Sequence, residues 1–162
     1  MNQQDCTALP TIEDVCQDEI EVLAISVGRF ITAGYVTGDV ACWDAGHDRA
    51  ETLLGFIDGP RLVASMAAVI RALRGGRDEP WHFMPANCCR LTLDELNLVK
   101  LLAVGRLGDR DAVVEGAIRL TGSRSVARLV TTVLSAGEVL CGLHDALPQS
   151  SASPKADQPI IH

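Results

Sequence analysis

The chain has 162 residues, 48% hydrophobic and 22% charged, which describes one globular domain with a real core rather than a disordered chain. Its formal net charge of -7 repels phosphate backbones and anionic bilayers as a whole, so nucleic acid is disfavoured as a partner unless a local basic patch overrides the sum.

Residues 1–10 are polar, end at Pro10, and read as a flexible arm. Met1 to Asp5 has neither a basic nor an apolar stretch of signal-peptide type, so a reducing, cytoplasmic setting is expected. Thr11 to Asp14 looks like an N-cap with an acidic first turn. The apolar positions Cys16, Ile20, Leu23, Val27, Phe30 and Gly34 alternate spacings of four and three, which predicts one helix to about Tyr35. The most apolar stretch, Val22 to Val36, is interrupted by Arg29. No uninterrupted apolar run approaches the roughly 18 residues of a membrane span, and none is expected.

Asp39 caps a second helix with Val40, Trp43, His47, Ala50, Leu54 and Ile57 on one stripe. Asp58-Gly59-Pro60 reads as a stop and restart, and the third helix buries Leu62, Met66, Val69 and Leu73 before Gly75-Gly76. A long central loop follows, about 76–91. Thr92 to Glu95 is then a full capping box. The fourth helix, Leu93 to about Leu107, is apolar on several faces, which predicts the central position in the bundle. Short fifth and sixth helices carry Val113, Ala117 and Leu120, then Leu129, Val133, Gly137 and Leu140. Residues 144–162, rich in Pro, Ser, Gln and Asp, read as a disordered tail. The expected fold is an all-α, single-domain bundle of five or six helices over residues 11–143.

The central loop holds the chemistry-bearing residues: Trp81, His82, the Cys88-Cys89 pair and Arg90. Three readings stand beside each other. One cysteine packs inward and the other is incidental. Or a thiol is redox-active, its pKa lowered by Arg90 and the positive end of the fourth helix. Or Cys88 or Cys89 joins His82 and His47 around a metal, although adjacent cysteines do not readily chelate one ion. The six cysteines, Cys6 and Cys16 among them, form no CxxC pair. His47 on an apolar stripe needs a partner for its nitrogens, as a packed residue or as a ligand-facing one. Asp44, Asp48 and Glu51 share a face, but the Glu-x-x-His pairs of di-iron bundles are absent, and Cys141 with His144 forms only a lone pair.

Residues 112–130 resemble the turn and recognition helix of a helix-turn-helix, with Arg119, Arg124 and Arg128 positioned for phosphates. The turn is shorter than that motif uses, and the overall acidity opposes it. No nucleotide-binding loop, GxSxG elbow or HExxH motif occurs. The expected function is therefore that of a helical interaction or regulatory protein without catalytic activity, in a small Ala-rich chain of bacterial look. Its partner would be another protein or its own copy, bound through apolar helix faces. The stripes at Ile20, Leu23, Val27 and Phe30, and at Trp43, Leu54, Phe56 and Ile57, exceed what one bundle is expected to bury. A thiol or small-ligand sensor and a DNA-binding regulator are the alternatives. No cofactor is expected, and a metal is left open.

Overall fold

The computed structural model describes residues 9–144. Its helices are α1 (Ile12–Val15), α2 (Glu19–Thr37), α3 (Val40–Gly75), α4 (Leu93–Arg106), α5 (Arg110–Thr121) and α6 (Ala127–His144), with no strand among the described residues. The all-α bundle expected from periodicity is what the chain forms. The structure of the expected tail beyond His144 and of residues 1–8, Cys6 included, lies outside the described residues.

The first predicted helix is divided. Thr11 and Asp14 form a true capping box around the single turn of α1, and Cys16 then leaves helical geometry. Asp18 restarts the chain as N-cap of α2, its carboxylate accepting from the Glu21 amide at 2.9 Å. Two capping residues seven positions apart outweigh the continuous apolar stripe, because each satisfies helix-end donors that a longer helix would not have. Leu9 and Pro10, the end of the expected loose arm, are tied down. Their carbonyls accept from the Arg90 guanidinium at 2.7 Å and the Leu91 amide at 2.9 Å.

α3 is one helix in name and two limbs in shape. Gly55 interrupts it at φ 78° and ψ 177°, a region open only to glycine. The break lies there and not at the Asp58-Gly59-Pro60 stop that the sequence suggests. The first limb, 40–54, brings Trp43 to Gly34 and Gly46 to Phe30. The second, 56–75, brings Met66 to Gly28 and Arg74 over the Tyr35 ring. The limbs therefore run in opposite directions along α2. Gly59 lies so close to Glu51 that a Cβ there would sit 2.7 Å from the Glu51 backbone nitrogen. The turn at 53–57 is the tip of a helical hairpin.

By length and hydropathy alone, α2 and α3 are each long and apolar enough to cross a membrane, although neither is an uninterrupted apolar run. In the fold, 61% of the apolar window of α2 is buried inside the protein, and α3 doubles back on itself.

The central helix is α6, not α4. It packs against α2, α3, α4 and α5. Its inward stripe of Leu129, Val130, Val133, Ala136, Gly137, Leu140 and Leu143 is buried. α4 shows why its all-round apolarity misleads: Leu98, Val99, Leu101 and Leu102 are buried, while Leu93 is exposed. The crossing of α4 and α6 is set by glycines. A Cβ on Gly105 would sit 2.8 Å from Val133 Cγ1, and one on Gly137 would collide with the Gly105 carbonyl. Small residues at a crossing let the backbones approach, and dispersion gains grow with that approach.

Three glycine substitutions separate these constraints. Gly55→Ala meets open space but forbidden backbone, and should destabilise by about 1–3 kcal/mol. Gly137→Ala meets the α4 backbone and should cost about 1–3 kcal/mol through overpacking. Gly142→Ala, helical and with nothing near its Cβ, should stabilise by about 0.5–1 kcal/mol. Urea denaturation of the three variants reads this order.

Candidate functional site

Residues 76–92 carry no helix, and Arg29 holds this segment in place. Arg29 and Glu95 are each 2% exposed and form an ion pair at 2.7 Å. The second guanidinium nitrogen on this side reaches Glu95 at 3.1 Å, so the pairing is bidentate. The remaining donors reach the carbonyls of Pro85 at 3.3 Å, of Cys88, and of Arg90 at 2.5 Å. Glu95 in turn accepts from the Met84 amide at 3.2 Å and from the Thr92 amide at 2.9 Å. A buried charge must be paired and hydrogen-bonded to persist. Here both charges are, and the carbonyls and amides of an irregular segment are satisfied by the same two side chains.

The start of the loop is fastened separately. Asp94 accepts from the His82 amide at 3.0 Å and from Arg77 at 2.8 Å. Burial opposes the Asp94 charge, but these donors outweigh it and hold its carboxyl below the usual range. Thr92 Oγ1 donates to the His82 carbonyl at 2.8 Å. The Arg77 guanidinium lies over the Trp81 ring, 5.8 Å from its centroid. Trp81 and Phe83 lie beside Ile25, Gly28, Arg29 and Thr32 of α2 and Leu98 of α4. The loop is thus a strip of packing along the middle of α2.

Around Cys88 and Cys89 the charged groups hold other partners. The positive end of α4 is occupied by the Glu95 carboxylate, and Arg29 spends its donors on that carboxylate and on carbonyls. Arg90 donates to Leu9, not to a thiol. The Cys88 sulfur accepts from the Arg90 amide at 3.5 Å, and Cys89 is exposed. His82 is 75% exposed and faces Asp94 at 3.2 Å. His47 is half-exposed, with Glu51 at 3.9 Å as its nearest acid, and not the buried residue that the stripe implies. No group of three or more His, Cys, Asp or Glu side chains converges as a metal site among the described residues. The set His82, Cys88, Cys89 and His47 therefore does not form a coordination sphere.

Cys141 and His144 serve separate partners. Cys141 faces the Arg106 carbonyl at 3.5 Å and His144 faces Asp18 at 3.1 Å. Arg106 joins this corner, pairing with Asp18 at 2.7 Å and with buried Glu21 at 3.0 Å. Burial opposes the Asp18 charge too, but Arg106 and the Glu21 amide prevail and lower its pKa. The segment 112–130 that resembles a helix-turn-helix spans most of α5, the turn after it and the start of α6. Residues 122–126 join α5 to α6, and α6 is packed against four other helices. Arg124 and Arg128 are exposed, and Arg119 lies 3.7 Å from Glu115.

Several apolar features stand open among the described residues, Val36, Val40 and Leu93 among them, and two combine large side chains or an apolar wall. At the α3 tip, Phe56 is 87% exposed and Ile57 79%, with Leu53 half-exposed beside them. Between α4 and α5 lies a cleft of about 500 Å³ walled by Leu101, Val104, Leu107 and Ala112, with Lys100 and Arg119 among its polar residues. Leu107 is 83% exposed. Of the other expected surplus, Ile20, Leu23 and Val27 are buried and Phe30 is half-buried. Sequence periodicity assigned Ile57 to an inward stripe because it carried helical phase through the break at Gly55. A Leu-Leu-Gly-Phe-Ile run is the signal that could have marked a hairpin tip.

The thiols should separate by burial. Burial, with Glu21 and Asp18 nearby, pushes the Cys16 thiol up to about 12. Among the described thiols, iodoacetamide at neutral pH should label Cys89 and Cys141 ahead of Cys16, read by peptide mass spectrometry. Labelling of Cys16 at the Cys89 rate would contradict the described packing.

No family model, curated protein or solved structure matches this chain.

Proposed function

We propose that this chain is a non-catalytic helical interaction protein that associates through the hydrophobic tip of its α3 hairpin, in its simplest form with a second copy. The observation that carries the reading is the exposure of Phe56 and Ile57 on a turn that only glycine permits. Burying each such side chain against a partner is worth about 1.5–3 kcal/mol. Adjacent large apolar residues on a rigid support form the kind of anchor that dominates interface energies. The tip is held from behind by the close contact of Gly59 with Glu51, so little ordering remains to be done on association. The thiols Cys16, Cys42, Cys88, Cys89 and Cys141 are unpaired among the described residues, which suits a reducing, cytoplasmic setting.

The test is sedimentation velocity on the full chain. Wild type should sediment as a dimer at micromolar concentration. Phe56→Asp should shift it to monomer while helical circular dichroism stays unchanged, since the side chain makes little contact within its own fold. A wild type that remains strictly monomeric at high concentration contradicts the reading.

A further inference from the structure

Resting on that reading, we infer that the cleft between α4 and α5 receives the Phe56–Ile57 tip of a second copy, reciprocally, giving a two-fold dimer. One mouth of the cleft, at Gln17, Leu107 and Ala112, lies at the same end of the bundle as the tip, and the cleft runs from there along α4 and α5 to Asn97 and Arg119. The first limb of α3 passes Trp43 against Gly34 and Gly46 against Phe30, so its continuation reaches the N-terminal end of α2 at the turn. The cleft includes Gln17, just before α2, and Leu107, next to the Arg106 that pairs with Asp18 and Glu21. Two copies meeting end to end about a two-fold axis can therefore each offer a tip and a cleft. In an isologous contact, residue i touches j and j touches i, and this arrangement supplies both halves from one chain.

Shape and charge agree with that occupant. A cleft of about 500 Å³ with a mainly apolar wall has room for a phenylalanine and an isoleucine together. Lys100, in no ion pair among the described residues, stands at the cleft beside Arg119 and its partner Glu115, while Glu51 and Asp58 flank the tip, Asp58 paired with Arg61 at 2.7 Å. The exposed parts of Leu53, Phe56 and Ile57 bring roughly 400 Å², and a reciprocal pair counts tip and wall twice, reaching the roughly 1,000 Å² that a specific interface needs. A tip docked on only one side would fall short of that area.

The experiment places p-benzoylphenylalanine at position 56 of the full chain and maps the photo-adducts by mass spectrometry. Adducts between chains should fall within residues 97–119. Ala112→Phe, which fills the cleft, and Lys100→Glu, an exposed change that leaves the core intact, should each weaken the dimer at least about tenfold by sedimentation. A dimer that needs Phe56 but cross-links elsewhere, and ignores both cleft variants, overturns this inference and leaves the interaction reading standing. A strict monomer overturns both. A small amphiphile retained one per chain in native mass spectra, and lost in Ala112→Phe while the dimer persists, would also overturn it, assigning the cleft to that ligand.

Discussion

The fold depends on one buried charge and the side chain that answers it. Arg29 stands in the most apolar stretch of the chain, facing the core, where an unpaired guanidinium could not remain. Glu95 neutralises it from the first turn of α4. Neither residue stops at the pair: Arg29 also takes up loop carbonyls, and Glu95 the amides of Met84 and Thr92. A buried pair of this kind adds little net stability over an apolar replacement, yet losing one partner alone costs about 3–5 kcal/mol. Its effect is therefore on specificity. It sets where α4 begins relative to α2, and it gives an irregular segment of chain a single path between them.

A second polar cluster works at the N-terminal end of α2, where Arg106 joins Asp18 and Glu21 and His144 approaches Asp18. The two clusters fasten α2 to α4 at its middle and at its N-terminal end, and to α6 at the latter. Between them the packing is apolar and close, with Gly105 and Gly137 letting α4 and α6 nearly touch. Val36 and Val40 are exposed at one end of α2, while the hairpin tip and one mouth of the α4–α5 cleft lie at the other end, marked by Arg106. The interface proposed there rests on a rigid frame rather than on mobile loops.

Much of the helical plan was legible in the sequence, because caps and periodicity act locally. Thr92 and Glu95 announced α4 by their spacing, and Asp39 announced α3. The same capping box hid the more important fact. Glu95 read as helix-entry hardware, and its bond to Arg29, 66 residues earlier, belongs to tertiary packing that no local pattern encodes. The clue available was Arg29 itself, a lone charge within an apolar run. The attraction of Cys88 and Cys89 as a site came from composition. In the fold the nearby charges hold partners of their own, Arg29 with Glu95 and loop carbonyls and Arg90 with the Leu9 carbonyl. The division at Asp18 and the reversal at Gly55 were obscured because the apolar phase runs through both.

The central claim is that Arg29 and Glu95 give the loop its order, beyond adding to overall stability. Amide hydrogen exchange in Arg29→Met tests it directly, comparing the Met84 and Thr92 amides with core amides of α6 such as Val133. In wild type the loop amides should exchange nearly as slowly as the core. In Arg29→Met they should exchange at least about 100-fold faster relative to Val133, as the loop opens while the bundle holds. Equal acceleration of loop and core, or no change in the loop, would contradict the account.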